Sequence, residues 1–237
     1  MKKEFPILIT GCSRSGSSMI AAAINACGAF GGNMTENNQS SKRGMFENVK
    51  IREAVVKSYL SEIGADIAGQ YPLVDTKNLI IPMNTWKADV EYILSKEGYT
   101  GGKWMYKDSR SALLWPVWDY AYPDAKWLIV RRRTGDVINS CVKTGFMKAF
   151  KNIDNQKAVG AKSEMEAWLW WIHQYEDRFN EMINAGLNCR VIWPQRMENG
   201  DYGQLYETID WLGLKWSEKA MDYIKPLLWG SKQKERK

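Results

Sequence analysis

The feature that most constrains this chain is a segment rich in glycine and serine, GCSRSGSS at residues 11–18, between two apolar runs. Residues 5–10 (FPILIT) predict a buried strand, and residues 17–27 (SSMIAAAINAC) predict a helix that ends at Gly28. Glycines let the backbone turn tightly between them, so that successive N–H groups and the positive end of the helix dipole face one point. The segment therefore predicts a strand–loop–helix unit that binds an anion such as a phosphate.

The rest of the chain alternates short apolar runs with longer segments of helical periodicity. Strands separated by helices predict an α/β fold with a central parallel sheet flanked by helices. We expect one domain over residues 1–230, with a polar loop at residues 33–44, and a charged tail at residues 231–237. The further predicted strands are residues 104–106, 127–131 and 190–193, and the further predicted helices are residues 51–63, 86–96, 109–120, 136–149 and 163–185.

The composition argues against several classes of protein. Lys and Arg number 33 against 27 Asp and Glu, and the net charge of +6 favours anionic ligands. Basic and aromatic residues are not concentrated in one stretch, so we do not expect nucleic acid as a partner. The four cysteines lie far apart and His173 is the single histidine, so we expect no disulfide framework and no metal. Because no apolar run is long enough for a signal peptide or membrane span, we expect a cytoplasmic protein.

The spacing of the two loop glycines also fits the GxxxxG of an ATP-binding loop. Ser17, however, stands where that motif has lysine, and Arg14 inside the loop supplies the positive charge instead. The predicted strand at residues 127–131 ends in arginine, where an ATPase usually places an aspartate that organises Mg²⁺. Asp108 does follow another predicted strand, so a nucleotide kinase or NTPase with a degenerate loop is the alternative function.

The SRSGSS sequence between an apolar strand and an apolar helix resembles the phosphosulfate loop of sulfotransferases, in which Lys or Arg precedes Ser-Gly-Thr/Ser-Thr/Ser. The resemblance implies the P-loop-like sulfotransferase fold. It also implies 3′-phosphoadenosine 5′-phosphosulfate (PAPS) as the donor, which leaves adenosine 3′,5′-bisphosphate (PAP) without help from a metal. In that family the loop binds the 5′-phosphosulfate. Arg14 occupies the basic position of this loop. The resemblance implies that the residues surrounding the phosphosulfate are Ser15, Gly16, Ser17 and Ser18.

A second signature of the same family is a strand followed by Arg, with Asp four residues further on and Ser eight residues further on. Arg132, Asp136 and Ser140 satisfy both spacings, although Thr134-Gly135 replaces the proline usual in this turn. An arginine at a strand end and a serine on the next helix can converge on one phosphate. The resemblance implies that Arg132 and Ser140 hold the 3′-phosphate of the donor.

Sulfuryl transfer needs in-line geometry, positive charge at the bridging oxygen and a base for the acceptor proton. Arg14 is placed to neutralise the leaving phosphate. The KDSR sequence at residues 107–110 resembles a Lys-Asp-Pro-Arg element of several sulfotransferases, which implies that Lys107 contacts the transferred sulfonate. Two glutamates compete as the base. Glu47 lies in GMFE, which resembles a Gly-x-Phe-Glu element, whereas Glu36 follows Arg14 at nearly the spacing of related branches. The local motif favours Glu47.

These features together predict an enzyme that transfers a sulfuryl group from PAPS to a hydroxyl or amine. The acceptor class stays open among small molecules, carbohydrates and peptides. His173 lies beside the apolar stripe of the predicted helix at residues 163–185, and a structural role is favoured over a role as base because the sequence offers it no partner.

Overall fold

The computed structural model describes residues 5–34 and 44–224, and this part of the chain is organised around a four-stranded sheet. Each neighbouring pair of strands is parallel, which confirms the expected α/β fold with a central parallel sheet. The charged tail predicted at residues 231–237 lies outside the described residues. The strands are β1 (Ile7–Thr10), β2 (Met105–Lys107), β3 (Lys126–Val130) and β4 (Cys189–Ile192), and they lie in the order β2-β1-β3-β4.

Helices surround the sheet and make up about half of the described chain. Within the described ranges, no helix is both long and apolar enough to cross a lipid bilayer. A π-helical segment, Ile51–Lys57, leads directly into α2. The α-helices are α1 (Ser17–Ala26), α2 (Ser58–Glu62), α3 (Met83–Lys96), α4 (Trp115–Ala121), α5 (Thr134–Lys143), α6 (Ile153–Ala158), α7 (Glu164–Asn184), α8 (Gln195–Glu198), α9 (Gly203–Trp211) and α10 (Met221–Ile224).

Two predicted helices are shorter than their apolar pattern indicates. The segment predicted at residues 109–120 divides into a 3₁₀ turn, Ser109–Ala112, and α4, because a proline that lacks an N–H group occupies the first turn of α4. The helix predicted at residues 136–149 ends at Lys143. The next residue, Thr144, has extended backbone angles, and its hydroxyl donates to the Ser140 carbonyl at 2.6 Å.

The sheet has an apolar core on each face, which explains the continuous apolar sequence of its strands. Alternate residues of β1 point to opposite sides. Ile7 and Ile9 belong to the core that contains α1, whereas Leu8 belongs to a larger core rich in tryptophan, which includes Trp118 and Trp171. Each of these side chains is fully buried, and burial of one large apolar side chain contributes roughly 1.5–3 kcal/mol.

The order of the strands fixes the place of the candidate site. From β1 the chain crosses to β2 on one side, whereas β3 lies on the other side of β1. In open parallel sheets, ligands bind beyond the carboxyl ends of the strands where the winding changes direction. Here that point lies between β1 and β3, at the loop of residues 11–18 and the arginines that follow Val130.

Candidate active site

The glycine loop, residues 11–18, contains two positions that require glycine. A Cβ atom on Gly11 would lie 2.4 Å from the carbonyl oxygen of Val130, so a side chain there would separate β1 from β3. Gly16 has a φ angle of 96°, in the region that favours glycine. These two residues allow the loop backbone to pass closely over the carboxyl ends of the two central strands.

The other loop residues offer donors to an anion. Ser15 is 1% exposed, and its buried Oγ has no hydrogen-bond partner among the described residues. Ser17 and Ser18 begin α1 directly after Gly16, so their N–H groups belong to the first helical turn, whose amides lack intrahelical acceptors. An orphaned hydroxyl and the N-terminus of a ten-residue helix both suit a negatively charged ligand.

Arg14 brings the two sequence signatures together. Its Nε donates to Ser140 Oγ at 2.8 Å, and Arg132 Nη1 donates to the carbonyl oxygen of Arg14 at 3.2 Å. Burial lowers the pKa of the Arg14 guanidinium, and the charge of Arg132 acts in the same direction. An anion between these two cations would offset both effects. The residues of the two sequence motifs therefore lie together at the carboxyl ends of β1 and β3.

The three arginines after β3 have different surroundings. Arg131 Nη2 forms an ion pair with Glu176 Oε2 at 2.8 Å, and Arg133 is exposed. Arg132 Nε lies 3.9 Å from Asp136 Oδ2, and this buried nitrogen has no hydrogen-bond partner in the described part of the chain. Arg132 is thus the member of the triplet that contacts the glycine loop and keeps a donor without a partner among the described residues.

The end of β2 is fastened to the glycine loop by serine and threonine hydroxyls. Ser13 Oγ and Ser109 Oγ are 3.0 Å apart, and Thr10 Oγ1 donates to the Ser109 carbonyl at 3.3 Å. Lys107, two residues before Ser109, pairs with Ile9 of β1 in the sheet register. The KDSR element therefore lies beside the loop, as expected for residues at the same edge of a parallel sheet.

Glu47 is buried among three cations. Lys107 Nζ donates to Glu47 Oε1 at 2.7 Å. The other oxygen, Oε2, lies 3.4 Å from Arg52 Nη1 and 3.5 Å from Arg110 Nη2. Three cations, among them the lysine predicted to contact the sulfonate, thus lie around one buried carboxylate. These residues and Asp108 are referred to below as the Glu47 cluster.

Asp108 caps the 3₁₀ turn that follows β2 and also forms an ion pair with Arg110. Its Oδ1 accepts from the Arg110 amide at 2.9 Å as a cap, and its two oxygens also accept from Arg110 Nε at 2.7 Å and Nη2 at 2.8 Å. Burial raises the pKa of Asp108, but the charge and hydrogen bonds of Arg110, with a hydrogen bond from Tyr106, lower it below its ordinary value. The same ion pair raises the pKa of Arg110 against the effect of burial.

Other candidates from the sequence lie elsewhere. Glu36, the competing base, lies outside the described residues. His173 is exposed on α7, beside a stripe of buried aromatic residues, as the helical periodicity predicts. Within residues 5–34 and 44–224, no group of three or more His, Cys, Asp or Glu side chains is arranged to hold a metal ion.

The parallel sheet, with the glycine loop after β1 and the arginines after β3, defines an α/β fold with cations and hydroxyls grouped at its switch point. This is the sulfotransferase fold. Sulfotransferase STF1 from Mycobacterium tuberculosis H37Rv superposes with a TM-score of 0.53 over 93% of this chain and 70% of its own, at 11% identity. Sulfotransferase STF9 from Mycobacterium avium gives a TM-score of 0.51 over 96% of this chain and 68% of its own, also at 11% identity. No protein-family model and no curated protein matches the sequence.

Proposed function

We propose that this protein is a sulfotransferase that moves a sulfuryl group from PAPS to a hydroxyl or amine of a small-molecule, carbohydrate or peptide acceptor. The convergence at Arg14 carries this proposal, because Ser140 Oγ and the Arg132 guanidinium both contact Arg14 from a separate sequence motif. The similarity of fold to two mycobacterial sulfotransferases supports it.

The residues grouped around Arg14 fit the two charged ends of PAPS. We assign residues 14–18 to the 5′-phosphosulfate, because the loop combines a cation, an orphaned Ser15 hydroxyl and a helix N-terminus. Arg132, whose Nε lacks a hydrogen-bond partner among the described residues, and Ser140 are assigned to the 3′-phosphate. All four cysteines fall within the described residues and are unpaired, which supports a reducing compartment such as the cytoplasm.

The chemistry requires two bond changes and one proton transfer. The bond from the acceptor oxygen or nitrogen to sulfur forms while the bond from sulfur to the phosphate oxygen breaks, and its electron pair stays on that oxygen. We assign Arg14 to stabilise the charge on the leaving phosphate, Lys107 to contact the sulfonate, and Glu47 to accept the acceptor proton. Glu47 and Lys107 lie within hydrogen-bond distance of each other, 2.7 Å, which supports placing both at one reacting centre.

The alternative function, a kinase or NTPase, has less support. Asp108 is the carboxylate that directly follows β2, and both of its oxygens are hydrogen-bonded to Arg110. A carboxylate engaged in this way is poorly placed to organise Mg²⁺. Magnesium-dependent ATP hydrolysis by the pure protein would favour the alternative, and PAPS turnover without added metal would favour a sulfotransferase.

The proposal predicts that the 3′-phosphate is recognised by Arg132. We expect PAP to bind roughly 10–100-fold more tightly than AMP, because one charge-assisted contact has about this value. The substitution Arg132→Ala should remove most of this preference and leave AMP binding nearly unchanged. Isothermal titration calorimetry measures both affinities, with Arg133→Ala, an exposed neighbouring charge, as the matched control. Equal affinity of the wild-type protein for PAP and AMP would remove the role given to Arg132.

A further inference from the structure

Glu47 is in contact with cations that are fixed to very different degrees, and Arg110 is the firmly fixed one. Its Nε and Nη2 bind the two oxygens of Asp108 at 2.7 and 2.8 Å, and its Nη1 donates to the Ile67 carbonyl at 2.9 Å. Asp108 is fixed in turn by the Tyr106 hydroxyl, at 2.7 Å. Displacing Arg110 would break these three hydrogen bonds and its 3.5 Å contact with Glu47, and it would leave the buried Asp108 carboxylate without its counter-ion, so this side chain stays in place.

Lys107 is held much less firmly. Its hydrogen-bond partner in the described part of the chain is Glu47 Oε1, at 2.7 Å, so one contact uses one of its three donors. The lysine stem has four carbons and several rotatable bonds, so the ammonium can swing without disturbing the sheet. Lys107 is adjacent to Ile9 of β1, and Ser109 joins the same turn to Ser13 of the glycine loop. The strand end that carries Lys107 therefore lies beside the loop assigned to the phosphosulfate.

We propose that Lys107 exchanges partners when the donor binds, leaving Glu47 Oε1 for the sulfonate, while Arg110 acts as a positioning residue that keeps Glu47 in place. This inference rests on the function proposed above. Before the donor binds, Lys107 occupies the oxygen that must accept the acceptor proton. Once Lys107 moves to the sulfonate, Oε1 no longer accepts from the ammonium and can take that proton. The binding of the donor therefore activates the base.

The exchange makes Glu47 a competitor of the donor sulfonate for Lys107. If the charge of Glu47 is removed, the ammonium no longer has to leave a carboxylate, and the sulfonate should bind more favourably. PAP carries no sulfonate and should gain nothing from this change. Any general increase in positive potential acts on both nucleotides, so the ratio of their affinities isolates the contribution of Lys107.

The experiment measures the affinities of PAPS and PAP for variants of this pair, by tryptophan fluorescence in the first seconds after mixing. Glu47→Gln removes the base, but it should raise the ratio of PAPS affinity to PAP affinity about tenfold. The reason is that a neutral amide holds the Lys107 ammonium less strongly than a carboxylate does. Lys107→Met should lower the preference below that of the wild type. Lys103→Met, the same substitution at the opposite end of β2, should leave it unchanged.

An unchanged or smaller preference for PAPS in Glu47→Gln would overturn the exchange while the proposed function stands. If the wild-type protein bound neither PAP nor PAPS, both proposals would fail together. Should Glu47→Gln not fold, Glu47→Asp carries the same test, because its shorter side chain draws back from Lys107 and should raise the preference to a smaller extent.

The positioning role of Arg110 has a separate test, with water as the acceptor. Arg110→Lys keeps the charge but loses the two-point contact with Asp108, so kcat for PAPS hydrolysis should fall about 10²-fold through misplacement of Glu47. KM for PAPS should change less than about twofold, because the donor site is intact. A parallel rise in KM, or an unchanged kcat, would overturn this role. If Arg110→Lys does not fold, Tyr106→Phe removes one hydrogen bond to Asp108 and should give a smaller fall in kcat.

Discussion

Replacing Arg14 by glycine is expected to lower the rate of PAPS turnover about 10²–10³-fold without loss of thermal stability. The loss of rate follows from the removal of the cation assigned to the leaving phosphate. The stability follows from the backbone, because Arg14 has a φ angle of 76°, where a non-glycine residue is strained by about 1–3 kcal/mol. Glycine relieves this strain, which offsets the loss of the 2.8 Å contact with Ser140 and the greater freedom of the unfolded chain.

The measurement is the release of PAP from PAPS, by chromatography, beside a thermal melt of each variant. Arg14→Ala should lose as much rate as Arg14→Gly but should melt at a lower temperature, because alanine keeps the strained backbone. Arg133→Ala removes an exposed positive charge next to Arg132 in the chain and should retain the wild-type rate. Substantial PAPS turnover by Arg14→Gly would show that the loop arginine does not act on the leaving group.

Much of the fold is readable from the sequence because the signals that specify it are local. The apolar run of β1, the glycines after it and the apolar periodicity of α1 lie within residues 5–28, and each reports on its own surroundings. The contact of Arg132 with the glycine loop can also be predicted from the sequence, since parallel strands bring their carboxyl ends to one edge of the sheet. Pro116 could have shown that α4 begins at Trp115 and not at Ser109.

The contacts within the Glu47 cluster could not be predicted from sequence patterns. Lys107 and Arg110 are 60 and 63 residues from Glu47, and no local periodicity reports a contact at that distance along the chain. Arg52 reaches Glu47 from a π-helical segment, a rare geometry that places side chains differently from an α-helix. The contact of Asp108 with Arg110 is the exception. These residues are two positions apart beside a strand end, so their contact is a local signal.

The Asp108 carboxylate should be a principal source of stability in the cluster. We expect Asp108→Asn to lower the free energy of unfolding by about 3–5 kcal/mol at neutral pH, because it removes the carboxylate that makes the two shortest ion contacts of the buried Arg110 guanidinium. Urea unfolding followed by tryptophan fluorescence measures the change. Asp89→Asn, which alters an exposed carboxylate on α3, is the matched control and should shift the free energy by less than about 0.5 kcal/mol.

The pH dependence and a double variant separate the ion pair from other causes of instability. Because the folded-state pKa of Asp108 is below its unfolded value, its contribution is complete above the ordinary carboxyl pKa of about 3.9 and is lost as the pH falls through the folded-state pKa. The wild-type protein should therefore lose more stability on acidification than Asp108→Asn. Adding Arg110→Met removes the buried guanidinium that has lost the Asp108 carboxylate. The double variant should therefore recover at least half of the loss in the free energy of unfolding. PAPS turnover should stay low, because Glu47 then lacks its fixed neighbour. A double variant less stable than Asp108→Asn would mean that Arg110 stabilises the fold without its carboxylate.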